Sequence, residues 1–280
     1  MNIIKVCSSK DKKDFIELAC SIYKNDKNWI RPLDKDINSV FDPKTNKAFR
    51  KGDVERWILK NNKKTIGRIA AFYSKKNEKD KIKVGGCGFF ECINDEKASN
   101  LLFDTAKNWL ETKGFHSMDG PINFGERDKW WGCLVDGFDI DPNYLQNYGK
   151  PYYQKLFESY GFELLFRQLT FLKKVRTPLS EKLALKAERA LRDPNYHFRT
   201  LEKRNIDKYI MDFAKIYNEA WSKYPGVSKL ELSQAKLLFA QLKPILDEKI
   251  LWFAYHNNDP IGFFISIPEM NQIFKYVNGK

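Results

Sequence analysis

Histidines and closely paired cysteines, the usual marks of a metal site, are scarce in this sequence. The chain of 280 residues has three histidines and five cysteines. The cysteines stand at positions 7, 20, 87, 92 and 133, and no two are spaced as C-x-x-C. A structural zinc site needs four such ligands close together, so we expect no metal. An odd number of scattered cysteines is typical of reduced thiols, which places the protein in the cytoplasm.

Long apolar runs are missing as well. A membrane-spanning helix needs about 18 or more consecutive apolar residues, and no such stretch occurs. The opening segment, MNIIKVCSSKDKKDF, also lacks the apolar core of a secretory signal. We therefore expect no membrane span. Hydrophobic residues make up 42% of the chain, which is enough to form one large globular core or two modest ones.

Acidic residues are too few to balance the basic ones, and the net charge is +13. Such an excess indicates an anionic partner: a nucleic acid, a membrane surface or a phosphorylated cofactor. The alternative, which we favour, is a lysine-rich surface that interacts only with solvent, because the lysines are spread along the chain. The densest basic segment is KKVRTPLSEKLALKAERALR, residues 173–192. We interpret residues 177–195 as a basic helical linker.

One weak internal repeat is present. The segment WILKNNKKTIG, residues 57–67, aligns with WFAYHNNDPIG, residues 252–262, and both patterns predict a β-hairpin. At the same offset of 195 residues, a helical stripe of apolar residues aligns with a second stripe, and the short strand IIKV aligns with FRTL. Three elements at one offset indicate a duplicated domain.

The repeat predicts the domain organisation. We expect a first domain over residues 1–176, then the linker, and the opening half of a second domain over residues 196–280. At this offset Lys280 corresponds to Gly85, so the later elements of the first copy have no counterpart. Half a sheet would leave an unpaired edge, and we therefore expect the chain to be part of a longer protein.

The first copy has the element order β-α-β-β-β-α-β-α-β, which predicts an α/β fold with a mixed sheet. Its strands are predicted near residues 3–6, 54–60, 65–73, 83–93, 116–122 and 163–174. Helix caps are predicted at Ser9 or Asp11 and at Asn94 or Asp95. The strand KVGGCGFFECI contains three glycines, which predict a bulge or the close approach of another backbone.

This element order resembles the GCN5-related N-acetyltransferase (GNAT) fold, with a second copy that is incomplete. The segments IGRIAAFY, GFFECIND, MDGPINFGERDKWWG and PYYQKLFESYGF further resemble a group of two-domain bacterial acyltransferases. The resemblance covers residues 1–175 and, as the opening half of a second copy, residues 196–280. It implies transfer of an acyl group from acetyl-CoA or another acyl-CoA to an amine, which could be a small molecule or a peptide.

Members of the family hold the pyrophosphate of acyl-CoA with backbone amides at a helix N-terminus, after a loop with paired glycines. The equivalent segment here is NDEKAS, residues 94–99, which has no glycine and adds two acidic residues. The resemblance gives as candidate cofactor-binding residues Phe90, Cys92, Asn94, Lys97 and Ser99. Because of the two acids, we expect this first copy to bind CoA weakly.

Glu91 lies on the glycine-bearing strand, where the resemblance implies a general base that deprotonates the amine. The alternative is a carboxylate paired with a nearby lysine or arginine. The resemblance also implies that Tyr152 or Tyr153 protonates the departing thiolate, with aromatic packing as the alternative. Cys92 and Cys133 have no histidine nearby in sequence, so we interpret them as buried thiols rather than nucleophiles.

The segment MDGPINFGERDKWWG, residues 118–132, has no helical or strand period, although it is rich in aromatic and charged residues. Ordered loops of this kind often carry function. In the fold that the chain resembles, this loop lies beside the cleft between two separating strands, so it could bind the acceptor. The alternative is that the tryptophans seal a contact with the second copy. The candidate substrate-binding residues are Asn123, Glu126, Arg127, Asp128, Trp130 and Trp131.

The preferred interpretation is therefore an acyl-CoA-dependent N-acyltransferase with two tandem domains. Two alternatives stay open. One is a scaffold protein that has kept the fold and lost the CoA loop, and the other is a relative that uses aminoacyl-tRNA. A nucleic-acid partner would require a continuous basic stripe on the surface.

Overall fold

The computed structural model describes residues 1–75, 82–125, 129–223 and 229–280. Three of the predicted substrate-binding residues, Glu126, Arg127 and Asp128, lie outside the described residues. Across the described ranges, no helix is both long enough and apolar enough to cross a bilayer. Contacts divide the chain into two compact units, residues 1–169 with 269–280 and residues 170–268.

The first unit contains a five-stranded sheet. Its strands are β1 (Asn2–Lys5), β2 (Gly52–Asn61), β3 (Lys64–Ser74), β4 (Val84–Cys92) and β5 (Ser117–Asp119). Neighbours in the sheet follow the chain order, and every pair is antiparallel except β4 with β5, which is parallel. The predicted α/β class with a mixed sheet is therefore confirmed.

Helices pack on both faces of this sheet. They are α1 (Ser9–Ile22), α2 (Asp34–Val40), α3 (Glu96–Thr112) and α4 (Tyr153–Tyr160). Successive residues of a strand point to opposite faces. Leu59 of β2 accordingly packs in the core formed with α3 and α4, and its neighbour Ile58 packs in the core formed with α1 and α2. The sheet thus separates two apolar cores.

The helix ends follow the sequence signals with one correction. α1 is capped by Ser8 and not by the predicted Ser9 or Asp11, because the Ser8 hydroxyl accepts a hydrogen bond from the Asp11 N–H. The Asp11 carboxylate in turn accepts from the Ser8 N–H, which completes a capping box. α3 is capped by Asp95, as predicted. α4 ends at Gly161, whose φ of +106° is a left-handed conformation that favours glycine.

The predicted strand over residues 163–174 is wrong. These residues have no regular secondary structure, and their apolar side chains are exposed, Phe171 at 86% and Leu165 at 74%. A strand requires a neighbour for its backbone N–H and C=O groups. No strand within the described residues pairs with this segment. An apolar pattern typical of a buried strand is therefore present without the partner that would order it.

The second unit repeats the strand pairing of the first. Its elements are α5 (Glu181–Arg192), β6 (Tyr196–Thr200), α6 (Ile206–Trp221), α7 (Leu232–Leu242), β7 (Leu251–His256) and β8 (Asp259–Ile265). Phe198 pairs with Ala254 just as Ile3, 195 residues earlier, pairs with Leu59. The register shift that follows Leu59 also recurs after Ala254. The same pairing and the same irregularity support the predicted duplication.

The last helix, α8 (Asn271–Phe274), belongs to the first unit by its contacts. Helix α5 lies inside the segment predicted to be a linker, and none of its residues is buried. The predicted domain boundaries at residues 176 and 196 stay a prediction.

Candidate active site

An irregularity in β4 shapes the site. Between the pairs Arg68–Glu91 and Ala70–Gly88, one residue of β3 faces two residues of β4. Phe89, at this bulge, has a φ of +51°, which lies in the left-handed region. Such a conformation is uncommon for a bulky side chain and often marks a functional constraint. The bulge that the glycines predict is therefore present.

A second backbone approaches β4 at the same place. The Ile122 N–H donates a hydrogen bond to the Cys87 carbonyl at 2.8 Å. A side chain at position 88 would collide with the Ile122 carbonyl, so only glycine fits there. β5 itself pairs with Val84–Gly86 alone. The last residues of β4 consequently have no β5 neighbour, and the two strands separate.

The two faces of β4 carry different groups. Phe90 and Cys92 pack in the core with α3 and α4. Phe89 instead packs against Phe15 of α1, with ring centres 6.5 Å apart. Glu91 is on the same side as Phe89, as alternation along a strand requires.

Glu91 is buried, with 7% of its surface exposed, and three side chains hold its carboxylate. Tyr153 donates a hydrogen bond to Oε2 at 2.6 Å, and Tyr23 donates to the same oxygen at 2.8 Å. The Arg68 guanidinium lies 3.4 Å from Oε1 and also donates to the Phe15 carbonyl at 2.6 Å. A carboxylate is tolerated in the interior when it has such partners.

Burial raises the pKa of Glu91 above its ordinary value of 4.5 and outweighs the Arg68 charge and the tyrosine hydrogen bonds, which lower that pKa. Burial and the nearby carboxylate also raise the pKa of Tyr23 and Tyr153 well above the ordinary value of 10. Both tyrosines therefore stay neutral donors near pH 7. A raised pKa makes the carboxylate of Glu91 a stronger base.

The adjacent tyrosines at the start of α4 make different contacts. The Tyr153 hydroxyl accepts a hydrogen bond from the Cys92 N–H at 3.2 Å while it donates to Glu91. The half-buried Tyr152 donates from its hydroxyl to the Cys92 carbonyl at 2.8 Å. Burial raises the pKa of Tyr152 to about 12. Both hydroxyls thus lie at the C-terminal end of β4, where they hydrogen-bond to the backbone of Cys92.

Glu91 lines a cleft of about 1050 Å³, counted with its open mouth, within the first unit. The charged and polar side chains in its lining include Glu91, Arg68 and Tyr153, and also Arg31, Asp34, Asn143, Gln146, Asn147 and Asn271. The remaining wall is mostly apolar or aromatic and includes Trp29, Ile30, Leu33, Trp130, Leu134 and Phe274. An apolar wall with a few convergent polar groups is typical of small-molecule sites.

The loop after β5 contributes one of its two tryptophans to this cleft. Trp130 lines the cleft, is 6% exposed, and packs on Phe89 with ring centres 5.4 Å apart. The backbone N–H of Trp130 donates to the Leu145 carbonyl at 2.7 Å. Trp131 is half-buried and Asn123 is buried, and neither belongs to the cleft wall. Of the predicted substrate-binding residues that the structure describes, Trp130 is therefore the one that lies at the cleft.

The start of α3 differs from the phosphate-binding loop that the resemblance implies. The Asp95 carboxylate accepts a hydrogen bond from the Ala98 N–H at 3.0 Å, so this amide is already occupied. Glu96 follows in the first turn. Two negative charges thus stand where the positive end of the helix would attract a phosphate. This helix end fits a pyrophosphate poorly.

The predicted cofactor-binding residues fall into two groups. Asn94 and Lys97 are exposed near the start of α3. Phe90, Cys92 and Ser99 are buried, and the Ser99 hydroxyl donates within its own helix to a carbonyl three residues earlier. The structure therefore leaves Asn94 and Lys97 accessible at this end of the helix and encloses the other three side chains.

The two cysteines near the site are protonated at neutral pH. Burial raises the pKa of Cys92 to about 12 and that of Cys133 to about 11. A nucleophilic cysteine needs the thiolate form, which such values disfavour. These surroundings support the interpretation of both residues as structural thiols.

Two curated proteins are similar to this chain, although no protein-family model matches it. The chain is 24% identical over 282 residues to the bacterial ceramide synthase of Caulobacter vibrioides, and the match covers 100% of this chain and 73% of that protein. It is 25% identical over 279 residues to protein YghO of Escherichia coli K12, with 97% of this chain and 69% of YghO covered.

Several solved structures also match. A tandem GNAT protein from the clavulanic acid biosynthesis pathway matches at 9% identity and a TM-score of 0.47, over 94% of this chain and 72% of that chain. An aminoglycoside 6'-N-acetyltransferase from Acinetobacter haemolyticus matches at 15% identity and a TM-score of 0.37, over 62% of this chain and 99% of that chain. A protein from Clostridium acetobutylicum described as a predicted acetyltransferase with acetyl-CoA matches at 14% identity and a TM-score of 0.37, over 61% of this chain and 95% of that chain.

Sequence reasoning missed several groups around Glu91. Tyr23 lies 68 residues before Glu91 and marks only a helix end in the sequence. Arg68 is 5% exposed within the apolar strand IGRIAAFY, and a charge inside an apolar strand is a signal that could have found it. Asn271 and Phe274 reach the cleft from α8, which no local pattern predicts.

Proposed function

We propose that this protein is an N-acyltransferase and that Glu91 is its general base. The observation that carries the proposal is the buried carboxylate of Glu91 in the wall of a largely apolar cleft, beside the bulge of β4. Two tyrosines and an arginine fix its position, and burial raises its pKa. An amine bound in the cleft would give its proton to this carboxylate as it attacks an acyl group.

The reaction joins an amine to an acyl thioester. The amine nitrogen forms a bond to the carbonyl carbon, and the carbon–sulfur bond of the tetrahedral intermediate then breaks. Glu91 accepts the proton from nitrogen, the thiolate takes a proton from a tyrosine hydroxyl, and solvent restores both groups.

Tyr152 is the proposed acid, because its hydroxyl donates a hydrogen bond to the Cys92 carbonyl and not to Glu91. Tyr153 is then a positioning residue that holds the carboxylate.

Acetyl-CoA or another acyl-CoA is the donor predicted from the sequence. The first turn of α3 does not fit the pyrophosphate of that donor, because Asp95 occupies the Ala98 amide and Glu96 adds a second negative charge. We therefore define the donor by its thioester bond and assign no catalytic role to phosphate contacts at this helix.

We propose an amine on a long apolar chain as the acceptor. The C. vibrioides relative is a ceramide synthase, and a ceramide is the amide of a fatty acid with a long-chain amino alcohol. The wall of the cleft supports an acceptor of this kind, because each CH₂ group that it buries contributes about 0.8 kcal/mol. A short polar amine would leave Trp29 and Leu134 facing water.

We also propose the cytoplasm as the location of this enzyme. All five cysteines are free thiols, and free thiols persist in a reducing compartment.

Amide formation by the full chain tests the proposal. Sphinganine, a long-chain amino alcohol, and ethanolamine, a short one, are each offered with palmitoyl-CoA and with acetyl-CoA at saturating concentration, and products are measured by mass spectrometry. We expect an amide of sphinganine, and a loss of about a hundredfold or more in Glu91→Gln. Glu111→Gln, an exposed glutamate of α3, is the matched control and should retain activity.

The outcomes separate the parts of the proposal. An amide of ethanolamine without an amide of sphinganine would overturn the acceptor class. Full activity in Glu91→Gln would overturn the role of the base. A folded protein that forms no amide with either amine would favour the scaffold alternative.

A further inference from the structure

The basic segment has a surface that acyl transfer does not use. No residue of α5 is buried. Five apolar side chains of this helix fall within about one third of its circumference, since 3.6 residues complete a turn. They are Leu183, Ala184, Ala187, Ala190 and Leu191. Leu183 is 54% and Leu191 is 70% exposed, so the apolar side is uncovered.

Basic side chains lie next to this apolar side. Lys182, Lys186 and Arg189 are exposed and fall together on the adjoining part of the helix. In the part of the chain that the structure describes, none of these three makes an ion pair, whereas Arg192 lies 3.4 Å from Glu188. Three positive charges are therefore available to an external partner.

The segment before α5 has the same mixed character. Phe171, Leu172 and Val175 are 86%, 81% and 98% exposed. Lys173, Lys174 and Arg176 lie among them in the sequence FLKKVR, residues 171–176. Residues 171–192 thus combine seven basic residues with two acidic ones, beside a set of uncovered apolar groups.

We propose that residues 171–192 dock on the surface of an anionic lipid bilayer. The apolar side of α5 would enter the boundary between headgroups and acyl chains, and the lysines and arginines would contact lipid phosphates. Nucleic acid would use the charges and leave Leu183 and Leu191 in water. A second copy of the chain would bring seven further basic residues against the first seven. An anionic bilayer is the partner that satisfies both the apolar and the basic groups.

Sedimentation of the full chain with vesicles tests this proposal. The measurement does not involve turnover, so its result does not depend on the proposed acyl transfer. The probes are phosphatidylcholine vesicles and vesicles that contain about one third phosphatidylglycerol. We expect binding to the anionic vesicles alone. The binding should weaken as salt rises, because salt screens the charges.

Two sets of substitutions separate the two contributions. Lys182→Ala, Lys186→Ala and Arg189→Ala together should weaken vesicle binding at least tenfold. Leu183→Gln with Leu191→Gln should also weaken it, although the net charge is unchanged. The matched control replaces Lys10, Lys12 and Lys13, three exposed lysines of α1, with alanine and should bind as the parent does. Because all these side chains are exposed, we expect parent-like thermal unfolding of each variant.

Four outcomes would overturn the proposal. The first is no binding to anionic vesicles. The second is an equal loss in the α1 control, which would show that net charge alone drives binding. The third is tight binding to duplex RNA or DNA that the leucine substitutions do not affect. The fourth is a dimer in light scattering that the leucine substitutions dissociate while vesicle binding is unaffected.

Discussion

At the scale of a single side chain, the proposed function of Glu91 and its burial favour different protonation states. Glu91 must be ionised to accept a proton, yet burial favours its neutral form and raises its pKa above 4.5. Turnover should therefore be lost as pH falls through a pKa that lies above the ordinary value. The dependence of kcat/KM on pH measures this acid limb. A limb at or below pH 4.5 would contradict the assignment of Glu91 as the base.

Arg68 opposes the effect of burial, because its charge lowers the pKa of Glu91. Arg68→Met should consequently move the acid limb to higher pH. It should also destabilise the fold by about 3–5 kcal/mol, since it leaves a buried carboxylate without its cation. Arg68→Lys keeps the charge and should move the limb less. A limb that moves to lower pH in Arg68→Met would exclude this electrostatic role.

The two tyrosines of α4 should differ in a measurable way. Tyr153→Phe removes a hydrogen bond that lowers the pKa of Glu91, so the acid limb should move to higher pH. Tyr152→Phe leaves the contacts of Glu91 intact and should lower kcat without moving that limb. Parallel pH profiles of the two variants provide the measurement. If the limb moves in Tyr152→Phe and not in Tyr153→Phe, the roles are reversed.

The sequence predicts residues of the site when their place on a strand determines it, and misses those that depend on packing. The family resemblance points to Glu91 through its position on the glycine-bearing strand. It does not point to Tyr23, because the contact of Tyr23 with Glu91 requires α1 to pack on β4 across 68 residues of sequence. The paired tryptophans illustrate the same limit, since Trp130 is buried and lines the cleft, whereas Trp131 is half-buried and is not part of the cleft wall.

At the scale of elements, local signals predict a bulge better than an isolated strand. The three glycines of β4 predict the bulge and the close backbone because only a residue without a side chain fits there. The apolar pattern of residues 163–174 predicts a strand, but strand formation depends on a partner that lies elsewhere in the sequence. No such partner pairs with it among the described residues.

The acidic start of α3 should weaken CoA binding. We expect the parent chain to bind CoA with a Kd weaker than about 1 μM in calorimetry, or less than about 8 kcal/mol of binding free energy. Asp95→Asn with Glu96→Gln keeps a capping side chain and removes two negative charges. A charge at a helix N-terminus contributes about 0.3–1 kcal/mol, so the double variant should bind CoA about three to thirty times more tightly.

A matched control lies at the other end of the same helix. Glu111→Gln removes an exposed negative charge near the last turn of α3 and should leave the Kd for CoA unchanged. An equal gain in both variants would indicate a general effect of net charge. No gain in either would show that the phosphates of CoA do not lie at the start of α3.

At the scale of the whole molecule, the sequence reveals the repeat because paired strand residues have the same separation along the chain in both copies. Ile3 with Leu59 and Phe198 with Ala254 keep one offset, and the irregularity after Leu59 recurs after Ala254. The sequence does not predict the assignment of residues 269–280 to the first unit. That assignment rests on contacts with a loop more than a hundred residues away in sequence, which no periodic pattern encodes.

Those contacts give residues 269–280 a role in the wall of the cleft. The Asn271 side chain donates to the Pro142 carbonyl at 2.7 Å, and the Tyr144 N–H donates to the Glu269 carboxylate at 2.8 Å. Phe274 packs on Tyr144 with ring centres 5.0 Å apart. Because Asn271 and Phe274 also line the cleft, their loss should change acceptor binding more than the chemical step.

Asn271→Ala with Phe274→Ala should therefore raise KM for the long-chain amine and leave kcat close to that of the parent. The loss of one hydrogen bond and of a half-buried ring should also lower the free energy of unfolding by about 1–3 kcal/mol. Steady-state kinetics and thermal unfolding measure the two effects. Tyr276→Ala, at a position 79% exposed in the same segment, is the matched control and should change neither. If kcat falls and KM is unchanged, residues 269–280 act on the catalytic groups and not on the acceptor.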